Sequence, residues 1–177
     1  DGGRRGAVTM RACAVVPAFN EEARVAGVVL GALDRLPKVI VVDDGSSDGT
    51  AGAAERAGAE VLRHRVNRGK GAALRTGMER AFASGFDAAV ILDADGQHRT
   101  EEIPLFLRAA DETGADIVLG SRMGGAKGMP LVRWLTNRFT SAVVSALAGT
   151  RIPDSQCGFR LVRESAFRAM TFRTTRY

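Results

Sequence analysis

Short apolar runs alternate along the chain with longer stretches whose apolar residues recur every three or four positions. Ala12–Pro17 (ACAVVP), Lys38–Val42 (KVIVV), Glu60–Arg63, Ala88–Leu92 and Asp116–Leu119 read as strands. Glu21–Leu36 carries Val25, Val28, Val29, Leu33 and Leu36 at helical spacing. Asp48–Ala57 reads as a short helix, with Ser46 to Asp48 as candidate N-caps. Gly69–Ser84 offers Ala72, Ala73, Thr76, Met78, Ala81 and Phe82 for packing, and Thr100–Thr113 starts on Thr100 as N-cap with Pro104 in its first turn. Mainly apolar strands, read as buried and alternating with helices, predict an α/β fold, with one mostly parallel sheet covered by helices on both faces. No internal repeat interrupts the pattern.

The chain has 177 residues, enough for one domain with a real core. Its 45% hydrophobic and 25% charged residues exclude a disordered tail, a collagen-like chain and a coiled coil. No run of about 18 apolar residues reads as a bilayer span. Two cysteines, Cys13 and Cys157, make neither a disulfide framework nor a paired zinc site, which points to a reduced, cytoplasmic compartment. Asp1–Met10 is expected to be a disordered leader, and residues 11–177 a single domain.

Charge is uneven. Residues 120–177 hold ten Lys/Arg against Asp154 and Glu164, a balance of +8, against −3 for residues 1–119. Such a basic end suits an anionic partner, although 22 Arg to 3 Lys is also what Arg-rich codon usage produces. It has no nucleic-acid-binding motif and few aromatics for base stacking, so no nucleic-acid partner is expected.

Polar clusters fall at the carboxyl ends of four strands: Pro17–Glu22, Asp43–Thr50, Asp93–His98 and Gly120–Arg122. Ligands of parallel α/β sheets bind there. Asp93-Ala94-Asp95 can aim two carboxylates into one cleft, and Gln97 adds an amide oxygen; hard divalent cations take one or two carboxylates plus substrate phosphates. Asp95-Gly96 is also an ordinary turn dipeptide, but its position after an apolar strand favours the cation. Asp43–Thr50 ends a strand and opens a helix, so one carboxylate is available for a base or a ribose while the segment caps the helix. Asn67–Gly71 is not a Walker A loop; its glycines fit a turn better than a phosphate cradle. Arg122 is followed by a glycine-rich loop, Gly124–Gly128, and Arg133 and Asn137 share a helix face. The stripe from Leu131 to Leu147 fits core packing or a membrane surface. His64 reads as a strand-end surface residue rather than a base, and His98 lies close to Asp95 without a clear role.

The segments VVPAFNEE (15–22), VVDDGSSDGT (41–50), NRGKGAALRTG (67–77), ILDADGQH (91–98), GSRM (120–123) and DSQCGFRL (154–161), in this order, resemble the family 2 inverting glycosyltransferases of the GT-A fold. The similarity is to the branch of polyprenyl-phosphate sugar synthases, including dolichyl-phosphate mannose and dolichyl-phosphate glucose synthases. It implies a Rossmann-like GT-A sandwich and transfer of a hexose from a nucleotide sugar, GDP-mannose or UDP-glucose, to polyprenyl phosphate at an anionic membrane surface, to which the protein binds peripherally. A small hydroxyl acceptor or growing glycan, or a non-catalytic nucleotide-binding module, are the alternatives. Implied roles place Pro17, Phe19 and Glu21 along the nucleotide, Asp44 on its base or ribose and Lys70 in the donor site. Asp93, Asp95 and Gln97 would hold Mg²⁺ or Mn²⁺ on the diphosphate. Arg122, Arg133 and Asn137 would face the acceptor phosphate, with Asp154 and Gln156–Arg160 by the sugar and acceptor. Asp95, Arg122, Arg133 and Asp154 are thus the expected catalytic set. Relatives of this kind continue past the position of Tyr177, so the domain is expected to be C-terminally incomplete.

Overall fold

A computed structural model describes residues 10–120 and 158–170. Six strands, β1 (Ala12–Ala18), β2 (Val39–Asp43), β3 (Glu60–Arg63), β4 (Ala88–Ile91), β5 (Ile117–Leu119) and β6 (Arg160–Arg163), form one sheet in the order β3-β2-β1-β4-β6-β5. The β1–β2, β1–β4 and β2–β3 pairs are parallel, while β6 runs antiparallel to both β4 and β5. The mostly parallel sheet is as expected; the antiparallel strand between β4 and β5 was not foreseen.

Helices α1 (Glu22–Leu33), α2 (Thr50–Arg56), α3 (Lys70–Ala83), α4 (Ile103–Thr113) and α5 (Glu164–Ala169) flank the sheet. Every residue of β1 and β2 is buried, because alternate side chains enter two separate cores. Ala12, Ala14, Val16 and Val41 pack with Val25 and Val29 of α1, Ala54 of α2 and Ile103 and Phe106 of α4. Cys13, Val15 and Ile40 point the other way, toward Met78, Ala81 and Phe82 of α3, with Phe167 of α5 at the margin. Burial pushes the Cys13 thiol up to about 12, so it is an inert packing group.

Three local readings are corrected. Gly77, rather than Thr76, is the packing residue of α3: a Cβ at Gly77 would lie 2.5 Å from Val15 Cγ1, so its absence lets helix and sheet approach closely. Gly49, not a residue of Ser46–Asp48, is the N-cap of α2. Thr100 opens a 3-10 turn, Thr100–Glu102, ahead of α4 and makes no side-chain cap; Pro104 does sit in the first turn of α4.

Strand order reverses at β1, with β2 on one side and β4 on the other. The crevice above such a switch point is where open α/β sheets hold ligands.

Candidate active site

A cleft of about 370 Å³ opens above the switch point. It is lined by Pro17 at the end of β1, Phe19 and Glu21 after it, Asp44 after β2, Asn67 between β3 and α3, Lys70 at the start of α3, and Asp93 and Asp95 after β4. Pro17, Phe19, Glu21, Asp44, Lys70, Asp93 and Asp95 therefore meet in one cavity, whereas Gln97 is not among its lining residues. Arg122, Arg133, Asn137, Asp154 and Gln156, the Gly124–Gly128 loop and the Leu131–Leu147 stripe lie outside the described residues, as does the leader up to residue 9.

The β1–β2 wall is tied together by paired helix starts. Asn20, held at φ 55°, donates its N–H to Ser46 Oγ (2.9 Å) and accepts the Ser47 N–H on Oδ1 (2.9 Å). Asparagine tolerates this left-handed conformation because its short polar side chain bonds locally. Glu21 N–H donates to Thr50 Oγ1 (2.8 Å) and Glu22 N–H to Asp48 Oδ2 (3.2 Å), while Glu22 Oε2 accepts the Gly49 N–H (3.0 Å). The first turns of α1 and α2 thus satisfy each other's free amides. The Thr50 hydroxyl donates to Asp48 Oδ1 and holds that carboxyl below its ordinary range, helped by the backbone N–H groups of Thr50 and Glu22.

Asp43 and Asp44 divide the work. Asp43 Oδ1 accepts the Ser46 N–H and closes the turn. Asp44, 3% exposed, caps the start of α3 instead: Oδ1 accepts Arg68 N–H (3.0 Å) and Oδ2 accepts Gly69 N–H (2.7 Å). Gly69 is at φ 90°. These two amides are occupied by Asp44, so the glycine-turn reading of Asn67–Gly71 holds and no phosphate cradle forms on them.

His64 corrects its sequence reading. Its side chain is only 7% exposed, with Nδ1 2.6 Å from Asp44 Oδ1 and Nε2 3.0 Å from Thr76 Oγ1. His98 is likewise buried, and its partner is Asp93 rather than Asp95: Nδ1 accepts the Asp93 N–H (3.0 Å), and the ring stacks on Phe159.

On the β4 wall, Asp93 Oδ1 pairs with Lys70 Nζ at 2.5 Å. Gly158 lies against the other side of this carboxylate; a Cβ there would come within 2.8 Å of Asp93 Cγ. Sequence reasoning grouped Gly158 only loosely with the site, since a single glycine gives no sign of which side chain it admits. Asp95 Oδ1 accepts the Gln97 N–H (2.9 Å), and Asp95 pairs with no cation among the described residues. No group of three or more His, Cys, Asp or Glu gathers as a closed metal site among those residues. The donor set is an open pair of carboxylates beside a lysine, which fits a hard cation whose remaining ligands come from a diphosphate.

Residues 13–171 match the profile described as Glycosyl transferase family 2. An uncharacterized protein of Methanocaldococcus jannaschii is 38% identical over 151 residues, covering 82% of this chain and 62% of its own length. The undecaprenyl-phosphate mannosyltransferase of Micrococcus luteus is 33% identical over 196 residues, covering 94% of this chain and 79% of its own. A glucosyl-3-phosphoglycerate synthase from Mycobacterium tuberculosis, crystallised with Mn²⁺, UDP-glucose and phosphoglyceric acid, superposes with a TM-score of 0.69 at 23% identity, covering 88% of this chain and 57% of that one. That likeness is one of fold. The chain spans about three-fifths of the first relative and of the solved structure. The profile match runs through all four strand-end segments that build the cleft, and with it the chain belongs to glycosyl transferase family 2.

Proposed function

We propose that the chain carries the donor site of an inverting glycosyltransferase that moves a hexose from a nucleotide sugar to polyprenyl phosphate. The observation that carries this reading is the convergence of Asp44, Lys70, Asp93 and Asp95 on one cleft at the switch point of the sheet. The mannosyltransferase of M. luteus, named for undecaprenyl phosphate, supports the acceptor.

In this reading Pro17, Phe19 and Glu21 flank the nucleotide, and Phe19, 46% exposed, offers an aromatic face at the mouth. Asp44 has acceptor capacity left for a ring N–H of the base, which suits uracil or guanine. Lys70 meets the diphosphate. Asp95, with Asp93 and Gln97 beside it, would hold a divalent cation, Mg²⁺ or Mn²⁺, which supplies positive charge for the departing nucleoside diphosphate. A polyprenyl phosphate oxygen is already anionic near neutral pH, so the protein's task is to position it and to neutralise charge. Arg122 and Arg133 suit that task because guanidinium groups bind phosphate bidentately, with Asn137 alongside. A hydroxyl acceptor would instead need a base, for which Asp154 is the candidate.

The +8 balance of residues 120–177 supports peripheral association with an anionic membrane surface, read here as the cytoplasmic one. Among the described residues, no helix is long and apolar enough to cross a membrane.

The test supplies labelled GDP-mannose or UDP-glucose with polyprenyl phosphate and Mg²⁺ or Mn²⁺. Label in an organic extract is the expected outcome. Label retained only on water-soluble acceptors would replace the lipid with a hydroxyl acceptor; nucleotide binding without transfer of any label would leave a non-catalytic module. Sedimentation with anionic but not neutral liposomes, reversed by salt, is expected for the membrane contact.

A further inference from the structure

His64 touches the donor site only through Asp44. Its backbone N–H bonds Asp43 O (2.9 Å), which extends the β2–β3 ladder and fixes where the imidazole starts. From there Nδ1 reaches Asp44 Oδ1 at 2.6 Å and Nε2 reaches Thr76 Oγ1 on α3 at 3.0 Å. With Nδ1–H donating to the carboxylate, Nε2 accepts the threonine hydroxyl proton, which assigns the tautomer from the network. The histidine is the one side chain bonded to Asp44 among the described residues; the other partners are the Arg68 and Gly69 amides.

A carboxylate has about four lone-pair positions. Two bonds fall on Oδ1 and one on Oδ2, so the remaining acceptor is on Oδ2. The Asp44 side chain is 4% exposed, yet Asp44 lines the cleft. Its roll about the Cβ–Cγ bond therefore decides whether that acceptor faces a ligand. The two amides belong to a loop pressed against Gly45, where a Cβ would lie 2.6 Å from both Asn67 N and Val66 C. The loop holds its side of the carboxylate, and the imidazole, anchored on α3 by Thr76, holds the other.

We infer that His64, braced by Thr76, is a positioning residue that aims the free acceptor of Asp44 at the nucleobase of the donor. This inference rests on the donor-site reading above. Its signature is a change in nucleotide affinity with the chemical step untouched: KM for the donor rises and kcat holds.

The experiment titrates UDP and GDP, with Mn²⁺, into the full chain and into His64→Asn, His64→Gln, His64→Ala and Thr76→Val, with thermal melting of each. Asparagine places an amide N–H where Nδ1 sits; glutamine places one nearer Nε2. For whichever nucleotide the parent chain binds, His64→Ala and His64→Gln should weaken affinity about tenfold, the worth of a hydrogen bond to a charged group, while His64→Asn stays within about threefold. Thr76→Val should fall between them. If asparagine rescues no better than glutamine, or if affinity follows the melting temperature rather than the position of the donor, His64 is only a packing residue. A failure of His64→Ala to fold leaves the asparagine–glutamine pair to decide. Parent chain that binds neither nucleotide overturns the donor-site reading and this inference together; parent binding with His64→Ala unimpaired overturns this inference alone.

Discussion

The two walls of the cleft differ in how far their hydrogen bonding is settled by the protein alone. On the β1–β2 side, Asn20, Glu21, Glu22, Ser46, Ser47, Asp48, Gly49 and Thr50 exchange bonds across two helix starts, and Asp44 accepts three more. On the β4 side, among the described residues, Asp95 accepts a single turn bond, and Asp93 leans on a lysine whose side chain is 54% exposed. The first wall is built before a ligand arrives and spends little order on binding it. The second keeps carboxylate capacity in reserve. In the proposed donor site, this contrast would assign rigid recognition of the nucleoside to the first wall and charge assembled with the ligand to the second.

Asp95→Ala should break the second wall alone and give the largest effect. A carboxylate's attraction for a divalent ion in a partly desolvated cleft is strong, so nucleoside diphosphate affinity in Mn²⁺ should fall by about 100-fold or more. Affinity without metal should stay put. Calorimetry with and without Mn²⁺ measures both, and an equal loss in the two conditions would erase the distinction between the walls. Gly158→Ala sharpens the same side from behind. Its Cβ would collide with the Asp93 carboxylate, so about 1–3 kcal/mol of stability should be lost in urea unfolding, together with part of the metal-dependent affinity.

Asn20→Ala probes the first wall. Alanine in the left-handed region costs about 1–2 kcal/mol, and the Ser47 bond goes with it. Stability should drop while the ratio of metal-bound to metal-free affinity is unchanged; a changed ratio would show that the walls are coupled. The smallest effect serves as a control away from both. Lys38, and next Arg80, hold the Glu60 carboxyl below its ordinary 4.5. A depressed folded value means this stabilisation is present above about pH 4.5 and is lost as pH falls through the folded value. Glu60→Gln should remove less than about 1 kcal/mol of acid sensitivity in pH-dependent unfolding and leave nucleotide binding alone.

The parallel half of the molecule was legible: half-buried β3 was located at its own bounds, and β1, β2 and β4 within a residue or so, because burial on both faces leaves those three with no polar alternation. Asp44, Asp93 and Asp95 were legible because each follows such a strand. β6 was not: Arg160-Leu161-Val162-Arg163 has the same two apolar residues between charged ends as β3, but it stands outside the strand–helix alternation of residues 12–119 that marks β3, and its pairing with β4 and β5 is what makes it a strand. His64 failed for a related reason. Asp44, His64 and Thr76 stand 20 and 12 positions apart, on three different elements, and no local periodicity links them. The cap of α2 was legible only in part: Asp48 accepts the Thr50 N–H, but the Gly49 N–H is met by Glu22 of α1, a partner that composition cannot name.

The late strand β6 has a consequence for how the molecule matures. Strands β1 to β4 and their crossover helices are neighbours in sequence, so the β1–β2 wall assembles from contacts that close early. Gly158 and Phe159, which back Asp93 and His98, arrive with β6, later in the sequence than β5. A chain growing from its N-terminus thus completes the β1–β2 wall before the backing of the β4 wall. During that interval β4 is an open edge, a template for stray pairing. The strand that finishes the carboxylate wall is also the one that ends this exposure.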